Sequence, residues 1–207
     1  MRIIMMIVSV FAVLSISACT STQPSELGTS SLVKQRIKYF DYVGFAVDKT
    51  PSQYTSIYIA DVALTFEPRW LHDNRYDVDQ HYRARLAQEY GQALKDALGK
   101  AITRHEMLVL VDTPTPSTLI VQPQLIDVRV NGPDNNTLVS HLVNYAGDAR
   151  LEVAFYAGDK LVAQLNDYRQ TRDRSLFGPE LTDRVRNYRD FSILMAQWSD
   201  RLVSAFW

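Results

Sequence analysis

Two stretches with apolar residues at helical spacing bracket four strand-like segments, and that order narrows the folds open to this chain. The first stripe is Val78, Tyr82, Leu86, Leu94, Leu98 and Ile102; the second is Phe191, Leu194, Met195, Trp198, Leu202 and Phe206. Each puts its apolar side chains on one side of a helix, over Val78–Ile102 and Tyr188–Phe206. Gly91 inside the first weakens it, and Gly99 offers an early end. Ahead of it, Ile57 and Ile59 alternate with polar neighbours, then Val62, Leu64 and Phe66 alternate in the opposite phase. That slip near Ala60-Asp61 asks for a bulge or a bend between two short strands, and Pro68 ends the run. Between the helices come Met107–Val111, Thr118–Val130, Ala149–Ala157 and Lys160–Thr171. Pro123 cannot donate to a ladder, so the second of these reads as edge-like or bulged. Gly158-Asp159 fits a two-residue hairpin turn between the last two. The sum is an α+β domain: a largely antiparallel sheet of about five strands with two helices packed on one face.

The N-terminus has a different character. Arg2 precedes an unbroken apolar run from Ile3 to Leu14, which gives way to Ser15, Ser17 and Ala18 before Cys19. A charged start, a short apolar core and small residues at a cut are the parts of a secretory signal peptide. A transmembrane helix needs about 20 apolar residues, more than this run supplies. The tetrad Ile16-Ser17-Ala18-Cys19 looks like the lipobox of bacterial lipoproteins, in which the cysteine thiol takes a diacylglycerol, a peptidase cuts before it and the freed amine is acylated. The alternative is an ordinary cleavage near Ala18 that leaves Cys19 a free thiol. On the lipobox reading residues 1–18 are a cleaved signal, 19–33 are the lipidated Cys19 and a tether, and 34–207 form one periplasmic domain. Several acyl chains anchor almost permanently, where one binds marginally. Thr20 stands where an Asp would favour inner-membrane retention in proteobacterial lipoproteins, so the expected location is the outer membrane, facing the periplasm. The stretch Thr20–Ser31 is small and polar with no hydrophobic period, which suits a flexible tether with a root-mean-square reach of about 20 Å.

Loss of the signal would take the 22 basic residues to 21 against 23 acidic, a formal charge of −2. That balance speaks against a general nucleic-acid binder. About 189 residues suffice for one domain with a proper core and are few for two. With a single Cys, the chain has no intramolecular disulfide, and a lipidated Cys19 leaves no thiol nucleophile.

Taken together, the lipobox and the segments IYIADVALTF, LAQEYGQALKDAL, TPTPSTLIVQPQLIDVRV, DARLEVAFYAGDKLVAQL and MAQWSDRLVSAF resemble the uncharacterised proteobacterial lipoproteins grouped as domain-of-unknown-function 3313. The resemblance spans nearly the whole chain after Cys19 and rests on order and patterning. Ala60-Asp61 departs from it, since the strand there would otherwise run on toward a proline. It implies location and fold. It carries no established activity and no catalytic residues.

The residues themselves nominate little chemistry. His72, Asp73, Asp77, Asp79 and His81 fall within ten positions, but their spacing matches no standard zinc or calcium site. Asp77 with Gln80 instead reads as a capping box at the start of the first helix, with Asp79 favoured by the helix dipole. Ser140 and His141 are neighbours and would point to opposite faces of a strand. Asp61 and Glu67 are too generic for a carboxylate pair. No catalytic, cofactor-binding or metal-binding residue is therefore named, and no cofactor is implied. Six arginines (169, 172, 174, 184, 186 and 189) and four acids (173, 180, 183 and 190) surround Ser175-Leu176-Phe177-Gly178-Pro179. Interleaved charge usually marks a solvated face. The functional reading makes Arg172, Arg174 and Phe177 candidate contacts for a partner: an envelope protein, a glycan or anionic headgroups. Trp198 and Phe206 read as core, and Trp207 as an exposed aromatic. Two functions from different classes stand: a non-enzymatic binding or accessory module of the envelope, favoured here, and a hydrolase acting on envelope material.

Overall fold

The computed structural model describes residues 32–132, 141–171 and 179–207. Its strands are β1 (Val33–Gln35), β2 (Tyr42–Phe45), β3 (Ser56–Ile59), β4 (Ala63–Phe66), β5 (Val109–Leu110), β6 (Leu119–Val130), β7 (His141–Val143), β8 (Gly147–Ala157), β9 (Lys160–Gln170) and β10 (Glu180–Thr182). The helices are α1 (Pro68–Asp73), α2 (Gln80–Thr103) and α3 (Arg184–Phe206). Eight strands form one sheet in the order β1-β2-β9-β8-β6-β3-β5, with β4 also on β6, while β10 and β7 make a separate pair.

The fold is α+β as expected, but the sheet is larger than about five strands and is not uniformly antiparallel. β1, β2, β9, β8 and β6 pair antiparallel in turn, whereas β3 and β4 lie parallel to β6 and β5 lies parallel to β3. The parallel part follows from connectivity. The chain leaves β4 through α1 and α2 and returns as β5 and β6, and a helical crossover brings a strand back in the same direction. A third helix, α1, also lies outside the expectation. It is six residues long, too short to show a period, and its signal is local: Pro68 at the first helical position behind Glu67, whose carboxylate accepts from the N–H groups of Arg69 and Trp70.

The reversal of phase near Ala60-Asp61 is a break between β3 and β4, both of which pair with β6. Ile59 faces Val121 and Ala63 faces Gln124, so three residues oppose two. Pro123 sits opposite this break. The Val121 carbonyl accepts from Ala60 N–H, and by strand alternation the Pro123 nitrogen points to the same side, where the ladder lapses. Pro123 is thus tolerated in a central strand, which corrects the edge-like reading; β6 keeps its register with β8 through Pro123, and its own irregularity falls later, between Ile126 and Arg129. The hairpin turn is as expected: Ala157 pairs with Lys160 and Gly158 takes φ +59°.

Both long helices cover one face. Leu151, Val153 and Phe155 of β8 sit across from Leu125, Pro123 and Val121 of β6, and all three β8 residues are fully buried. Against that face α3 sets Phe191, Trp198 and Phe206, and α2 sets Leu86, Leu94 and Leu98. The Phe206 ring meets the edges of Phe45 and Phe155 at 5.6 and 5.0 Å. Gly91 is buried beside the β3–β4 break, where a Cβ would make ordinary van der Waals contact with the Val62 carbonyl at 3.4 Å.

The capping box expected at Asp77 and Gln80 is not the one that forms. Asp79 is the cap of α2, and its carboxylate accepts from Tyr82 N–H at 2.7 Å. Asp77 N–H and Val78 N–H both donate to the Asn74 carbonyl, which keeps these residues in the preceding turn. Asp79→Ala should therefore cost about 1 kcal/mol in denaturant unfolding, the ordinary value for a lost cap. Asp77→Ala should cost less, and the reverse ranking would return the cap to Asp77.

Candidate functional site

Polar side chains gather where β6 and β9 end and β8 begins, under α3. Asp167 on β9 is fully buried, and its carboxylate accepts from Trp198 Nε1 at 2.8 Å and from Arg169 Nε at 2.7 Å. Arg169 also donates through Nη2 to the Tyr39 carbonyl at 2.8 Å. One strand further in, buried Asp148 accepts from Arg129 Nε at 2.8 Å, and Arg129 reaches the Tyr168 hydroxyl at 3.1 Å. The hydrogen bond to each buried carboxylate is the first cause holding the Arg129 and Arg169 guanidiniums above their ordinary range. Asn187, buried on α3, accepts from Thr182 Oγ1 at 2.6 Å and ties that helix to β10.

Around the start of α3, Arg184 pairs with Glu89 of α2, Arg186 donates to the Leu181 carbonyl and Asp183 caps the helix through Arg186 N–H. Arg189 lies 3.5 Å from Asp190. Tyr82, Arg85, Glu89, Tyr90, Arg184 and Tyr188 line a cleft of about 10 Å³, room for roughly one water. Burial pushes the Tyr90 phenol well above its ordinary range. A cleft this small does not take a substrate. A wider groove of about 430 Å³ runs between α2 and the β3–β5 edge, past Tyr58, Lys95, Asp96, Lys100 and Asp112.

Of the residues nominated from sequence, Cys19, Arg172, Arg174 and Phe177 lie outside the described residues, as does Ser140. What is described is the stem of the 172–178 connection: Thr171 is buried and its Oγ1 accepts from Gly147 N–H at 3.1 Å. The chain resumes into β10, which pairs with β7. The polar cluster at 72–81 does not converge. His72 belongs to α1, His81 is exposed on α2, and among the described residues no three His, Cys, Asp or Glu side chains are grouped to hold a metal ion. Asp61 is spent on Lys95 at 2.6 Å, and that hydrogen bond lowers its carboxyl; Glu67 is spent on the α1 cap. Trp198 and Phe206 are core as read. Trp207 is not the exposed aromatic expected: it packs against the core and donates to the Tyr54 carbonyl at 3.0 Å.

Two features here escaped the sequence reading. The buried acids 148 and 167 are one; their only signal was Asp167 and Arg169 two apart on a strand, hence on one face. The other is apolar exposure: Leu142 and Leu181 face each other across β7 and β10, both exposed, beside exposed Val185 and Tyr188.

No family model matches the chain and no curated protein matches it, so the family resemblance rests on the sequence segments alone. Solved structures offer distant likenesses. The PelC dodecamer from Paraburkholderia phytofirmans superposes with a TM-score of 0.40 at 8% identity, over 77% of this chain and 96% of that one. The hypothetical protein CT253 from Chlamydia trachomatis gives 0.36 at 11% identity, over 72% and 93%. At that level nothing is transferred from either to this chain.

Proposed function

We propose that this chain is a lipid-anchored protein of the cell envelope, at the periplasmic face of the outer membrane, acting as a non-enzymatic binding or accessory module. The observation that carries the reading is Ile16-Ser17-Ala18-Cys19 at the end of a charged-then-apolar leader, with Thr20 behind it. The module half is supported by how the polar groups are used. Asp148, Asp167, Asn187, Arg129 and Arg169 spend their hydrogen bonds on one another and on the fold. The contact surface of this reading is the connection carrying Arg172, Arg174 and Phe177, toward an envelope protein or glycan, since guanidinium forks suit anionic groups.

Cys19→Ala should abolish incorporation of a palmitate analogue and leave an unprocessed precursor; label retained on the variant would remove the anchor. Replacing Arg172, Arg174 and Phe177 by Ser should hold stability within about 0.5 kcal/mol while weakening crosslinked capture of envelope partners. Unchanged capture by the folded variant would place the contact elsewhere.

A further inference from the structure

The segment joining β1 to β2 is basic, and nothing above gives it a task. Lys34, Arg36 and Lys38 fall at alternate positions and are all exposed. Arg201 on α3 comes to the same place: its guanidinium lies 5.2 Å from the Tyr39 ring centroid, and Lys38 Nζ lies 5.1 Å from it. Lys34 Nζ sits 5.8 Å over the Tyr42 ring. Among the described residues none of these four cations forms an ion pair with a carboxylate. Aromatic faces hold two like charges near one ring without neutralising them.

The segment is also pinned. Arg169 Nη2 donates to the Tyr39 carbonyl, and Tyr168 N–H donates to Asp41 Oδ2, both at 2.8 Å. Tyr39 is held at φ +88°, a conformation few residues other than glycine adopt, and such strain persists only where the surroundings enforce it. Residues 34–41 thereby arch over an open hollow of about 880 Å³. In a chain whose acids outnumber its bases, five cations (Lys34, Arg36, Lys38, Arg169, Arg201) meet two acids (Asp41, Asp167) on this edge, and one of those acids is fully buried.

We infer that this β1–β2 edge is a docking surface for an anionic bilayer, held against headgroup phosphates beside the anchor. The inference rests on the lipid-anchored reading for its geometry. Val33, one residue before the first of these cations, is 14 residues from Cys19, so even a fully extended chain keeps the edge within about 50 Å of the acylated residue. An acyl anchor plus a basic patch is the two-signal arrangement that fixes orientation as well as attachment.

The test uses the mature chain, residues 19–207, with Cys19→Ser so that no acyl chain contributes. It should co-sediment with phosphatidylethanolamine–phosphatidylglycerol vesicles and not with phosphatidylcholine vesicles. Each basic side chain at an anionic surface strengthens binding about fivefold, so Lys34→Gln, Arg36→Gln and Lys38→Gln together should lower the partition about a hundredfold. If that variant does not fold, the parent chain still decides: its partition should collapse between about 0.05 and 0.5 M salt as screening shortens. Equal binding to both vesicles, a folded triple variant that binds like its parent, or a flat salt dependence would each overturn the inference. Displacement by millimolar inorganic phosphate would also overturn it, in favour of a discrete phosphate site. Palmitate labelling of Cys19 separates the two readings: label without vesicle binding sinks only the docking surface, and vesicle binding without label sinks only the anchor.

Discussion

Arg169→Met should lower the stability of the fold by about 3 kcal/mol, although Arg169 lies near the surface. The loss comes from the partner left behind. Asp167 is fully buried and relies on Arg169 Nε at 2.7 Å and Trp198 Nε1 at 2.8 Å. Removing one member of a buried pair typically costs roughly 3–5 kcal/mol, because an uncompensated charge remains. The lower end applies because the Arg169 side chain is 39% exposed, so water can reach the gap from that side. Methionine keeps the length and the packing of the aliphatic stem, which isolates the charge. Adding Asp167→Asn should restore part of the loss, since an amide carries no charge and its oxygen still accepts from Trp198. Urea unfolding of the four proteins closes the cycle, and a coupling of about 2 kcal/mol is expected for groups in direct contact. Strict additivity would mean that the carboxylate is hydrated in the folded state.

That pair also shows where the sequence stops being informative. The helices are legible because the stripes from Val78 to Ile102 and from Phe191 to Phe206 repeat over about four turns or more, and a long period averages out local exceptions. The β8–β9 hairpin is legible because alternation and a Gly-Asp turn agree. The short elements have no such redundancy. β1 and β2 are three and four residues long, and Lys34 and Gly44 interrupt any alternation. β4 is half-exposed and β5 is two residues. Parallel pairing is not a local property at all; it follows from where α2 returns the chain. The cap goes to Asp79 although Asp77 satisfies the spacing rule with Gln80, and only the turn at Asn74 decides between them. The Asp167–Trp198 bond joins residues 31 apart, and nothing in either neighbourhood announces it. The basic edge is legible as composition, Lys-Gln-Arg-Ile-Lys, but its approach to Arg201 across the sheet edge is not.

Gly147→Ala is expected to be as damaging as the loss of Arg169, about 3 kcal/mol or more, for a steric reason with little room for relief. A Cβ at Gly147 would lie 2.1 Å from the Arg129 carbonyl and 2.8 Å from the Phe191 ring. The carbonyl belongs to β6, the neighbouring strand, and cannot move without breaking the ladder that pairs Val130 with Gly147 and Arg129 with Asp148. Phe191 is 1% exposed and stacks on Tyr90 at 4.6 Å, so the ring has nowhere to retreat. Overpacking a tight core costs about 1–3 kcal/mol. The positive φ of 156° adds strain for any side chain, and displacement would disturb the bonds by which Gly147 carbonyl and N–H hold Thr171. Gly158→Ala supplies the control. Its φ is +59°, but a Cβ there meets nothing within 4 Å, so only the backbone penalty of about 1–2 kcal/mol applies. Thermal and urea unfolding should rank Gly147→Ala well below Gly158→Ala. Equal losses would mean that the β6–β8 approach is looser than 2.1 Å requires. The difference matters beyond stability, because Thr171 is the stem of the connection carrying Arg172, Arg174 and Phe177. On the binding-module proposal, Gly147→Ala should also weaken partner capture where Gly158→Ala leaves it intact, because Gly147 N–H is bonded to Thr171 at the stem of the proposed contact.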